Sequence, residues 1–258
     1  MGVVEPTNLQ VKSLKGLHLY HSGRSNCSAR VRLLFAEREL DWESHHIDLL
    51  AKENISEDYF GINPKGLVPA LVYDGTVVIE SCDILRFVEA AFPDPQFEPA
   101  SEAAREEIDQ WLEMAGDMHV PTVKTFQYYK MNARLLKKSK EEEELYDRLQ
   151  TDPQLKAFHG KHAGGRSFSK QDADVAIDLL NKMFAKMEVS LTDSDWIVGD
   201  TYSLADIAWA PSVTTLLSGG FDLSAFPNVE RWYANICQRP QYQTAVIEWR
   251  NQQQWEKL

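Results

Sequence analysis

The sequence predicts an α/β domain over residues 14–95 followed by an all-α domain over 100–258, and three observations carry that reading. Strand and helix patterns alternate through the first 95 residues. Beyond them the strand patterns cease, and the change coincides with Pro93 and Pro95 inside the stretch 92–100. The 258 residues suffice for two ordinary domains, and 43% hydrophobic with 26% charged residues is a composition able to bury a core.

Taken in order, Gly16–His21 alternates apolar and polar side chains as a short strand does. From Ser28 to Leu40, the residues Val31, Leu34, Phe35 and Leu40 recur at helical spacing. Asp41–Asp48 alternates again, and Leu50–Pro64 is polar and irregular. Leu67–Tyr73 and Thr76–Ile79 are β-branched runs on either side of Asp74-Gly75, the pair that favours a type I′ hairpin turn. Ser81 is the expected N-cap of a helix over Cys82–Ala91, ended by Phe92-Pro93-Asp94-Pro95. The order β-α-β, then β-β-α, makes a small mixed sheet. Helical patterns follow near 101–136, 137–150, 171–191, 203–217 and 226–238. The charge run in 137–150 reads as a solvated face, and the Gly-rich, basic stretch 159–170 as a mobile connection.

The net charge of −12 argues against a nucleic-acid binder, which needs a basic surface to displace counterions from phosphates, and against adhesion to anionic membranes. No apolar run approaches the roughly 20 residues that span a bilayer. The first residues lack a basic region followed by an apolar stretch, and Pro6 stands where a myristoylation signal needs Ser or Thr, so a cytoplasmic location is expected. Cys27, Cys82 and Cys237 are too few and too far apart for a disulfide framework. No Cys or His pair has zinc-ligand spacing, and His45 and His46 would point to opposite faces of a strand, so no metal is expected.

Three short motifs carry chemistry. Pro69 stands at the start of a strand, where its missing N–H is tolerated; either it is an ordinary edge proline, or it is cis and turns the backbone of Val68 outward to pair with an extended ligand. Glu80-Ser81 opens a helix, where backbone N–H groups attract a carboxylate while Glu80 meets an ammonium. A peptide end carrying both charges suits the pair. The stretch from His21 to Arg32 places hydroxyls and a thiol at a helix N-terminus, where one donated hydrogen bond stabilises a bound thiolate.

In this order and spacing the motifs SGRSNCSARVR, NPKGLVPAL, VVIESCDILRFVE and TYSLADIA resemble the glutathione transferase superfamily over essentially the whole chain. The resemblance implies a thioredoxin-like N-terminal domain, a helical-bundle C-terminal domain, glutathione as co-substrate and a homodimer. It makes Val68 the backbone partner of the cysteinyl part of glutathione and Pro69 cis. Glu80 and Ser81 hold the γ-glutamyl end, and Lys52 and Lys65 meet the glycine carboxylate. Thr201–Ala208 matches the family's helical capping motif, with Ser203 and Asp206 as a capping box.

Within the superfamily the pattern Arg-Ser-x-Cys-Ser-x-Arg-Val-Arg is most like the zeta class isomerases and the reductive dehalogenases of chlorinated hydroquinones, and the long 130–170 stretch and the DLSAFPNVERWYANICQRP ending resemble the lignin β-aryl etherases and those dehalogenases. Ser25 takes the position that activates the thiol, with Cys27 and Ser28 beside it. Arg24 and Arg30 would depress the pKa of Cys27, which otherwise is a small buried residue. Asn26 departs from the serine usual in the zeta class. His119, Tyr128 and Tyr129, with Trp111 and Phe126, lie where the second substrate, a small aromatic electrophile, would be held, unless they serve as core. Two other functions fit the same residues: a non-catalytic regulator or assembly module of this fold, and a thiol-disulfide reductase or isomerase dependent on Cys27.

Overall fold

The hairpin around Asp74-Gly75 lies within a five-stranded sheet. The computed structural model describes residues 2–97, 99, 101–131, 135, 137–161 and 166–251. Strands β1 (Val3–Val4), β2 (Leu17–His21), β3 (Glu43–His46), β4 (Ala70–Tyr73) and β5 (Thr76–Ile79) stand in the order β1-β5-β4-β2-β3. β2 and β3 run parallel, with His18 opposite Glu43, and the other pairs are antiparallel. Asp74 and Gly75 have φ of 48° and 83°, the left-handed pair that a type I′ turn requires. β1 carries no sequence signal, because two residues are too few to show a period.

Alternation along β4 and β5 gives the sheet two apolar faces. Leu71 and Val78 pack with Val31, Leu34 and Phe35 of α1 (Asn26–Glu37) and with Ile84, Leu85 and Val88 of α3 (Ser81–Ala91). Ala70, Val72, Val77 and Ile79 meet Val11, Tyr59 and Ile62 on the opposite face. Tyr59 belongs to α2 (Glu57–Phe60), a short helix inside the stretch expected to be irregular; Ser56 caps it by accepting from the Tyr59 N–H at 3.2 Å. α1 ends three residues before the expected Leu40, because Glu39 turns left-handed at φ 52°. β4 starts at Ala70 rather than Leu67: Pro69 has no N–H to give a ladder, and the Leu67 carbonyl accepts from Tyr59 Oη at 2.7 Å and Asn63 Nδ2 at 2.6 Å.

Among the described residues beyond the sheet domain, the regular elements are all helical. α4 (Glu102–Asp117) leads through a π-helical turn, Val120–Lys124, into α5 (Thr125–Lys130). The single helix expected over 101–136 is thus interrupted where Pro121 removes an amide donor, and its end at 132–134 and 136 lies outside the described residues. α6 (Lys140–Leu149) begins with a Ser139–Glu142 capping box and turns Tyr146 inward, so its charge run is a solvated face with one buried anchor. α7 (Pro153–Gly160) was not expected. Its signal is Asp152-Pro153, an N-cap that accepts from the amides of Gln154 and Leu155, followed by proline at the first helical position. The Gly-rich stretch at 162–165 lies outside the described residues. α8 (Lys170–Ser190), α9 (Leu204–Ser218) and α10 (Pro227–Cys237) complete the bundle, followed by helical segments over 240–251. No helix among the described residues is long and apolar enough to cross a membrane.

α9 is buried on nearly every side, as an all-round apolar helix must be. Its cap is therefore an interior structure. Asp206, fully buried, accepts from the amides of Ser203 (2.8 Å) and Ile197 (3.0 Å) and from Trp232 Nε1 (2.8 Å). Burial outweighs these donors and pushes its pKa up from 3.8 to about 6. The folded state therefore holds the proton more tightly than the unfolded chain. The contribution is fully present below about pH 4 and is lost as pH rises through about 6. In Asp206→Asn this falling limb should vanish from denaturation curves taken at intervals between about pH 4 and pH 7.

Candidate functional site

The N-terminus of α1 is built by Ser25. Its backbone is extended, and its Oγ accepts from the Ser28 N–H at 3.2 Å while its carbonyl takes the Ala29 amide at 2.9 Å. Oγ as an acceptor leaves the hydroxyl hydrogen available for a second partner. Ser25 and Cys27 are both half-buried. Ser28 is different: it is fully buried, and its Oγ accepts from the Ser22 amide at 3.3 Å. It has no surface to offer a ligand.

The second piece is the start of α3. Ser81 was expected as N-cap, but it is the first helical residue, and Glu80 holds the cap position at φ 65° with no capping bond from its side chain. The left-handed turn at Glu80 leaves its carboxylate half-exposed, 2.5 Å from Lys65 Nζ. Two residues assigned to opposite ends of a peptide ligand thus pair with each other. Lys65 also carries structure, since its carbonyl accepts from Gln150 Nε2 at 2.8 Å and its amide donates to Asn63 Oδ1 at 2.9 Å. The Val68–Pro69 bond is cis, and Val68 is half-buried beside it. Just before them, Gly66 sits at φ 61° against the ring of Phe60, where an added Cβ would lie 2.4 Å from Cζ. Lys52 turns its Nζ to the carbonyls of Leu50 (2.6 Å) and Leu135 (3.3 Å).

Arg30 joins these pieces. It is 1% exposed, and its guanidinium donates to the carbonyls of Ala208 (2.7 Å) and Ala115 (3.0 Å) and to the hydroxyls of Ser81 (3.0 Å) and Ser212 (2.9 Å). One side chain from α1 therefore ties the start of α3 to α4 and α9. The thiol it reaches is Cys82, at 3.6 Å from Nη1. Arg30 was expected to serve Cys27, but its donors are committed elsewhere. Burial nonetheless raises the Cys82 pKa, with Arg30 opposing it. Cys82 is a buried packing residue, and Asn26 adds a bond from Nδ2 to Ser212 Oγ at 3.2 Å. Arg32, equally buried, donates to the carbonyls of Ser22, Gly23 and Ala245, holding the loop before Ser25 against the last helical segments.

On the helical side, His119 stands half-buried between α4 and the π-helical turn. Burial, then the cations Arg30 and Lys124, hold its pKa well below 6.5, and its enclosed Nδ1 has no partner among the described residues. Tyr128 packs on Phe158 at 5.5 Å and Phe168 at 5.8 Å between ring centroids. Tyr129, one residue on, points elsewhere around the helix and acts on Lys170 at the start of α8. Trp111 and Phe126 are core. Lys124 escaped the sequence reading. It ends the π-helical turn beside Tyr128 and Phe158, within electrostatic reach of Cys27 and Glu80. An open depression lined by Arg86, Glu89, Pro93 and Asp109 contains none of the expected site residues.

Residues 24–91 match the family described as Glutathione S-transferase, N-terminal domain, and 127–240 match Glutathione S-transferase, C-terminal domain. The chain is 26% identical to the tetrachloro-p-hydroquinone reductive dehalogenase of Sphingobium chlorophenolicum, over 89% of this chain and 95% of that protein. It is 28% identical to a probable maleylacetoacetate isomerase of Caenorhabditis elegans, over 87% of this chain and 90% of that one. The crystal structure of β-etherase LigF from Sphingobium sp. strain SYK-6 superposes with a TM-score of 0.80 at 25% identity, covering 90% of this chain and 99% of that one.

Proposed function

Because the chain belongs to the glutathione S-transferase family, with a thioredoxin-like domain, a helical domain and glutathione as the family's co-substrate, we propose that it activates the glutathione thiolate for attack on a small aromatic electrophile. The observation that carries this reading is Ser25, whose Oγ is fixed by the Ser28 amide at the start of α1 while its hydroxyl hydrogen is left to donate. Ser25 donates to the thiolate, and the first amides of α1 add their partial positive charge. Both favour the ionised thiol, the attacking species. In the proposed complex Glu80 exchanges Lys65 for the γ-glutamyl ammonium, Lys65 and Lys52 meet the glycine carboxylate, Ser81 offers its amide, and the backbone of Val68 before Pro69 pairs with the cysteinyl unit. His119 and Tyr128 border the electrophile.

The relatives suggest β-aryl ether cleavage or dehalogenation as the reaction, with isomerisation as a third possibility. Glutathione consumption measured with a β-aryl ether, a chlorohydroquinone and maleylacetoacetate separates these. Turnover of at least one is expected, together with retention on immobilised glutathione; no glutathione binding at millimolar concentration would overturn the proposal in favour of a regulator or assembly module. A Cys27-dependent reductase is the second reading, favoured by the half-exposed thiol beside Ser25. Cys27→Ser should keep conjugation within a few-fold, whereas loss of all turnover in that variant would establish the reductase. We also propose a homodimer, which sedimentation at micromolar concentration tests; a monomer there refutes it.

A further inference from the structure

Lys124 is a cation held by neutral partners. Its Nζ lies 3.2 Å from His159 Nε2, 5.0 Å from the ring centre of Phe158 and 5.6 Å from that of Tyr128. Among the described residues no carboxylate pairs with it. An ammonium only donates, so Nε2 of His159 accepts and its Nδ1 carries the proton, which reaches Tyr146 Oη at 2.6 Å. The lysine is aimed by the π-helical turn, closed by the Lys124 amide on the His119 carbonyl at 3.0 Å. Such turns are frequent at functional sites.

The groups facing it come from five elements. Cys27 at the start of α1 and Glu80 before α3 favour its charge, and Lys138 before α6 opposes it. His159 of α7 and Tyr146 of α6 form its chain, and neutral His119 stands one π turn away. Burial dominates and lowers its pKa from 10.5 to about 8.

We propose that Lys124 is the proton donor to an oxygen leaving group displaced by glutathione, with His159 and Tyr146 as positioning residues. The inference rests on the proposed transferase reading and narrows its substrate class to aromatic ethers. The glutathione sulfur forms a bond to the carbon bearing the aryloxide, and the carbon–oxygen bond breaks with its electron pair going to oxygen. That oxygen takes a proton from the Lys124 ammonium, and the resulting amine regains one from solvent. Glutathione and the ether thus yield a thioether and a phenol. A lysine lowered toward working pH is matched to this transfer, since general acids are most effective there.

The test uses the full chain and two β-aryl ethers that differ only in the leaving group, an ordinary phenol or a far more acidic nitrophenol. Lys124→Met keeps the apolar stem over Phe158 and Tyr128. It should lower kcat about 10²–10⁴-fold on the phenyl ether, at least tenfold more than on the nitrophenyl ether, and remove the loss of rate above about pH 8. Lys124→Arg, a cation that does not give up its proton, should fail to rescue. Equal losses on both ethers, or rescue by arginine, would overturn the proposal. Wild-type conjugation of chlorodinitrobenzene without cleavage of either ether would overturn this inference and leave the transferase reading standing. Turnover of none of the three overturns this inference, and together with no retention on immobilised glutathione it overturns both.

Discussion

Ser25→Ala should lower kcat/KM for glutathione-dependent conjugation about 10²–10³-fold, the usual cost of removing one donor aimed at a developing or bound anion. The same substitution removes the N-cap of α1, which accepts from the Ser28 amide at 3.2 Å, and should cost about 0.5–2 kcal/mol of stability. A loss of activity could therefore follow from a frayed helix rather than a missing donor. Ser25→Gly separates the two, because glycine at an N-cap costs only about a few tenths of a kcal/mol against serine but places no side-chain donor there. We expect stability near wild type and activity as low as in the alanine variant. Ser25→Thr, which keeps both hydroxyl and cap, should retain most of the rate. Recovery of activity in the glycine variant would make the residue a cap and nothing more.

Arg30→Met should be the most destabilising substitution in the thioredoxin-like domain, by about 3–5 kcal/mol in chemical denaturation. Four acceptors lose the guanidinium at once, the carbonyls of Ala115 and Ala208 and the hydroxyls of Ser81 and Ser212, of which Ser212 keeps a further donor in Asn26 Nδ2. An unsatisfied buried polar group costs about 1–3 kcal/mol, so even partial rearrangement leaves a large deficit. The Ala115 carbonyl lies in the last turn of α4, where a cation is also favoured by the helix dipole. Arg30→Lys should recover little, since three donors on a point charge cannot replace a planar fork spread over three helices. A lysine variant as stable as wild type would show that charge, not the fork, is what the site needs.

How much of this could be read from the sequence followed from how local each feature is. The hairpin and the capping box at Ser203 depend on residues a few positions apart, and the patterns around Asp74-Gly75 and Ser203-Asp206 show them. Ser25 was legible as a helix-start hydroxyl, and Glu80-Ser81 as a helix opening, although the left-handed backbone at Glu80 moved the cap by one residue. Arg30 could not be read correctly. Its partners lie 51 to 182 residues away, so a neighbour in sequence, Cys27, took the place that belongs to Ser81 and Cys82. Lys124 was hidden by its setting, a lysine among aromatics that read as core. The helix that brings His159 to it was signalled by Asp152-Pro153, inside a stretch whose Gly-rich continuation drew the eye to a loop.

The claim that unifies the site is that Ser25 holds bound glutathione as a thiolate. Titration of the thiolate absorbance in the ultraviolet, with enzyme saturated by glutathione, measures it directly. We predict a midpoint near pH 7 or below for the wild type, against about 8.5 for an ordinary thiol, and a return toward that value in Ser25→Ala. An unshifted midpoint in the wild type, or a shift that survives Ser25→Ala and disappears in Cys27→Ser, would contradict the account.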